Sequence, residues 1–65
     1  MIATPALTPR EEAAVRAYLD AGSVKRAAHL LGLAETTVSN QLATARRRFG
    51  VDTVAQLVAR LGWRL

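Results

Sequence analysis

The sequence predicts an all-α domain of four short helices. Two observations predict it. Apolar residues recur at helical spacing, and no stretch alternates as a strand does. Each of the four glycines stands where such a periodic segment stops. The expected helices run over about 9–21, 24–31, 35–49 and 53–61.

Residues 1–6 carry no periodic signal and are expected to form a flexible arm, with the domain over 7–62 and a short tail over 63–65. Thr8-Pro9-Arg10-Glu11 opens the first helix. It offers a capping hydroxyl, a proline at the first helical position and a glutamate at the third. Leu7 precedes the cap, where a staple residue sits. Val15, Tyr18 and Leu19 then share one face, and Gly22 ends the helix through the left-handed conformation. Ser23 caps the second helix, which Gly32 stops. Leu33 follows the turn, and Ala34 or Glu35 opens the third helix. That helix runs to Phe49 before Gly50. Asp52 is expected to cap the fourth, from Thr53 to Leu61 before Gly62.

Length allows one domain of limited core. There is no cysteine, and His29 is the lone histidine, so no metal or other cofactor is expected. No apolar run approaches a membrane span, and no secretory signal opens the chain. A cytosolic, nucleoid-associated protein is the expectation. No paired carboxylates, nucleophile–base set or phosphate loop is legible, so an enzyme is not expected and no small-molecule substrate is evident.

Charge points elsewhere. Nine Lys and Arg oppose five Asp and Glu, a net of +4. It is uneven: in residues 1–20 Arg10 and Arg16 face Glu11, Glu12 and Asp20, which leaves the other seven cations against Glu35 and Asp52. A basic stretch suits a polyanion, although a small excess also merely keeps a domain soluble.

Ala28, Gly32 and Val38 carry the strongest pattern. Two helices that cross closely need a small residue at the crossing, a glycine for the sharp turn and a branched apolar residue to close the core between them. Those three residues fill these roles, with Leu31 and Leu33 at the turn. This predicts a helix-turn-helix.

On the third helix Val38, Leu42, Ala45 and Phe49 share the core side. The opposite side holds Thr36, Asn40, Ala43 and Arg47, with Ser39 and Thr44 beside it and Arg46 and Arg48 to either side. Short polar side chains near the start of a helix approach base edges in the major groove. Arginines further along reach phosphates, and the helix start adds N–H groups. Thr36 and Thr37 sit at that start. Asn40 can bond adenine, Ser39 a base or a bridging water, and Ala43 a thymine methyl. At most two of the three consecutive arginines can touch DNA. Lys25 and Arg26 open the second helix, where a phosphate contact is natural. His29 is read as a surface residue and Glu35 as a helix-start charge. The candidate DNA contacts are Lys25, Thr36, Thr37, Ser39, Asn40, Ala43, Arg46 and Arg47.

Leu7-Thr8-Pro9-Arg10-Glu11, Ala28, Leu31-Gly32-Leu33, Thr37-Val38-Ser39-Asn40-Gln41-Leu42 and Arg47-Arg48-Phe49-Gly50-Val51 together resemble the LuxR-type (GerE-like) DNA-binding domain. The resemblance runs without gaps from Leu7 to about Val58. It implies a four-helix fold, bacterial transcription control and dimerisation through the fourth helix. Carried over by position, Thr36, Thr37, Ser39, Asn40, Ala43 and Arg47 fall on or beside the family's DNA contacts. Val54, Leu57, Val58 and Leu61 fall on its fourth helix and become the candidate dimer interface. Several positions depart. Gln41 replaces the usual histidine, Ala34 the capping Ser or Thr, and Arg26 the glutamate of the second helix's capping box. Gly22 comes one residue late. The sensor domain of most members is absent, so a stand-alone regulator or an excised domain is implied.

The stripe Val54, Leu57, Val58 and Leu61 also fits ordinary core packing. Ala55 and Ala59 widen it enough for both roles. Trp63 and Leu65 either fold back on the first helix or face a partner. The expected function is sequence-specific binding of duplex DNA by a dimeric transcription regulator. Two rivals remain open: a sigma-region-four-like module whose partner is RNA polymerase, and a protein-interaction module that binds no DNA.

Overall fold

The Thr8 hydroxyl accepts from the Glu11 amide at 3.2 Å, and the Glu11 carboxylate accepts from the Thr8 amide at 2.9 Å. This reciprocal cap starts α1, Pro9–Ala21, in the computed structural model, which describes residues 6–63. Ser23 caps α2, Val24–Leu31, by accepting from the Arg26 amide at 3.2 Å. α3 is Glu35–Phe49, and no side chain closes its start, because Ala34 has no oxygen to offer. α4 is Val54–Leu61. Its cap is Thr53, not Asp52. Thr53 bonds the Gln56 amide and Gln56 bonds back, so the helix begins one residue later than expected. The Asp52 amide joins this cap by donating to the same Gln56 oxygen at 2.8 Å.

The C-terminal ends differ in the residue after the glycine. At Gly32 (φ 67°) the Leu33 amide reaches back to the Ala28 carbonyl at 3.0 Å. An apolar residue after the glycine lets this six-residue loop close over the helix end. Val51 and Trp63 repeat it, bonding to Arg46 and Val58. Ser23 comes after Gly22, and α1 closes only with the single Gly22-to-Tyr18 bond at 2.8 Å.

α1 packs on α2 and α3, α2 on α3, and α4 chiefly on α3. The longest helix therefore lies at the centre. Its Val38, Leu42 and Ala45 are buried, with Phe49 packed against them. Small residues form much of the rest: Ala14, Ala17, Ala27 and Ala28 are buried beside Val15, Val54, Leu57 and Val58. Small side chains let short helices approach closely, which is how so small a chain fills a core. Leu7, Tyr18 and Leu19 pack at its edge. Among the described residues no helix is long and apolar enough to cross a membrane.

Residues 1–5 of the expected arm lie outside the described residues, as do Arg64 and Leu65. Ala6 is not loose. Its carbonyl accepts from Arg48 at 3.3 Å. Trp63 resolves the alternative left by the sequence. The Arg16 guanidinium lies 4.3 Å from its ring centre, so Trp63 packs back on α1. Arg16 is itself oriented by Glu12, 3.2 Å away.

Candidate nucleic-acid interface

α3 presents one side to the core and the other to solvent. Thr36, Thr37, Ser39, Asn40, Thr44 and Arg47 are exposed, while Ala43 and Arg46 are half-buried. Lys25, Arg26 and His29 are exposed on α2. Thr36, Ser39, Asn40, Ala43 and Arg47 thus share one face. Thr37 does not lie at its centre. It lines a cleft with Arg10 and Gln41, where α3 meets α1. Asn40 reaches the same border from the other side, lining a smaller cleft with Thr8, Arg10 and Thr44.

The three consecutive arginines have different surroundings. Arg48 pairs with Glu11, a contact between the end of α3 and the start of α1. Glu11 is only 5% exposed, and Arg48 is its counter-charge. Arg48 therefore serves the fold. Arg46 and Arg47 have no ion pair among the described residues. These cations suit the negative end of the α3 dipole, and Arg47 is exposed while Arg46 is half-buried.

Burial pushes the Glu11 carboxyl up. Hydrogen bonds from Arg48 and from the Thr8 amide, with the charge of Arg48, outweigh burial and hold it below the ordinary value of 4.5. Sequence reasoning placed Glu11 in the cap and missed its second partner. No local signal reports it, since 37 positions separate the two residues.

Gln41 was likewise missed. Its Oε1 is buried without a hydrogen-bond partner among the described residues. It sits in the cleft with Arg10, Leu31 and Leu33, on the flank of α3 rather than on its polar face.

The four residues of the candidate dimer interface pack inward. Leu57 is fully buried in the chain's own core, Val54 and Val58 nearly so, and Leu61 is half-buried against it. Intramolecular packing takes Val54, Leu57 and Val58 and part of Leu61. What α4 leaves exposed is Ala55, Gln56, Ala59 and Arg60.

No protein-family model, curated protein or solved structure matches this chain.

Proposed function

We propose that this domain binds duplex DNA through a helix-turn-helix formed by α2, the Gly32 turn and α3, and that it serves as a LuxR-like transcription regulator. One observation carries the reading. α3 buries Val38, Leu42 and Ala45 while exposing Thr36, Ser39, Asn40 and Arg47 on the opposite side. A helix anchored on one side and polar on the other is the form that enters a major groove. The short side chains near its start allow close approach to base edges, and Arg46, Arg47 and Lys25 supply charge for flanking phosphates. The basic excess over residues 21–65 supports the same partner.

Dimerisation belongs to this proposal in a modified form. With Val54, Leu57 and Val58 in the core, a second copy would meet Ala55 and Ala59 on the outer side of α4. So small a face favours pairing on DNA, where two half-sites hold the copies together.

Selection of bound duplexes from a random pool tests the reading. Enrichment of one short motif, repeated as a palindrome about one helical turn apart, is the expected result. Failure to retard any duplex at low salt would refute DNA binding.

A further inference from the structure

Arg10 is exposed and, unlike its neighbours Glu11 and Glu12, has no ion-pair partner among the described residues. It stands in the first turn of α1, where a cation opposes the helix dipole. Neither the helix nor the core accounts for it. Its surroundings do. Arg10 lines both clefts along the seam between α1 and α3, one with Thr37 and Gln41, the other with Asn40, Gln41 and Thr44.

Thr37, Gln41, Thr44 and Arg48 follow one another at helical spacing, so they form a single flank of α3. The exposed face with Thr36, Asn40 and Arg47 borders that flank. A helix lying in a major groove has a sugar–phosphate wall on either side, and its flanks meet those walls. Ser39 and Arg46 lie on the opposite flank, where α3 brings a cation of its own. On the α1 flank its cation is Arg48, and Glu11 takes that charge. Arg10 replaces it from the neighbouring helix. Glu11 also lines the outer cleft, but Arg48 offsets it, so the positive charge left over is that of Arg10. The inner cleft has no acidic residue among its lining.

We propose that Arg10 binds a backbone phosphate of the duplex that α3 enters, on the groove wall facing the α1 flank, with the Thr44 hydroxyl beside it. Gln41 fits the same contact. Its Oε1 is buried at this seam without a hydrogen-bond partner among the described residues. A water that donates one hydrogen to Gln41 and the other to the phosphate satisfies both acceptors. The inference rests on the DNA-binding reading above. It adds a contact outside the helix-turn-helix and fixes an orientation, with the start of α1 at one wall of the groove and Arg46 at the other.

The test measures affinity for a mixed-sequence duplex of about two helical turns, from about 50 to about 200 mM salt. Wild type is compared with Arg10→Gln, Arg10→Lys and Arg60→Gln. Arg60 is exposed on α4 and lines a cleft away from the seam, so its replacement removes the same charge elsewhere. Arg10→Gln should reduce the salt slope by about one, so that its deficit against wild type shrinks about threefold across that range. Arg10→Lys should keep the slope, because a lysine still meets a phosphate as a point charge. Arg60→Gln should keep it too. The thermal midpoint of Arg10→Gln should not fall, since the lost cation opposed the helix dipole. A full slope in Arg10→Gln, or an equal loss of slope in Arg60→Gln, would overturn the Arg10 contact and leave duplex binding standing. No binding of the duplex by wild type at about 50 mM salt would overturn DNA binding and this inference with it.

Discussion

Glu11 shows how one residue can hold two parts of a small domain. It caps α1 and neutralises Arg48 at the far end of α3. Its lowered pKa sets a pH dependence with a definite sign. A depressed folded pKa contributes stability above the unfolded value of about 4.5. That contribution is lost as pH falls through the folded value. Denaturant midpoints measured from pH 7 to pH 3 should fall below about pH 4.5, and Glu11→Gln should flatten this fall while keeping the cap, since glutamine also serves there. A midpoint that rises on acidification would mean that burial dominates Glu11. The neighbouring arginines divide their labour, and this is testable at Arg47. Arg47→Ala should lower affinity for all duplexes and reduce the salt slope by about one unit. Asn40→Ala should relax preference at one base pair, by about 1–3 kcal/mol. An unchanged slope for the first, or uniform loss for the second, would remove that residue from its role.

At the scale of the element, the ends of α2 and α3 decide how the exposed face of α3 is presented. α3 begins without a side-chain cap. Ala34→Ser should supply one and add about 1 kcal/mol of stability, seen as a higher thermal midpoint. Gly32 is a second control. A Cβ built there meets nothing within 4 Å, so a side chain would find space. The left-handed backbone is the whole obstacle. Gly32→Ala should therefore cost about 1–2 kcal/mol, and Gly32→Asn less, because asparagine tolerates that conformation. Equal losses for the two variants would point to packing instead. α4 shows the limit of reasoning from one element. Its apolar stripe has the right width for a partner or for a core, and periodicity is the same in both cases.

At the scale of the molecule, α4 has one substantial neighbour, α3, and its Val54, Leu57 and Val58 are buried in the core. Ala55 and Ala59 are too small to hold two copies strongly. Sedimentation should show a monomer at micromolar concentration and two copies only on a palindromic duplex. A stable dimer free of DNA would restore a larger interface than this fold leaves exposed. The ion pair of Glu11 with Arg48 and the packing of Arg16 on Trp63 tie both ends of the domain to α1. They matter in a chain whose core is built largely from alanine and valine, since such a core leaves a narrow margin of stability.

The sequence by itself determined what acts within one turn of backbone. Thr8 and Ser23 start helices because a hydroxyl there finds an amide three residues on. Gly22, Gly32, Gly50 and Gly62 stop them because the left-handed backbone costs glycine least. The i, i+4, i+7 spacing of Val38, Leu42 and Ala45 fixed which side of α3 is buried, and so which residues it exposes. Even here the fourth helix is capped by Thr53 and not by the expected Asp52, because Gln56 three residues on bonds back to Thr53. The tertiary structure decided everything that depends on how helices meet. Among the described residues Arg48 has an ion-pair partner and Arg47 does not, although they are adjacent and identical in kind. Trp63 turns inward, Val54, Leu57 and Val58 face α3, and Leu30 remains in water. These outcomes rest on contacts between residues far apart in the chain. Their geometry exists only once four short, individually unstable helices have packed together.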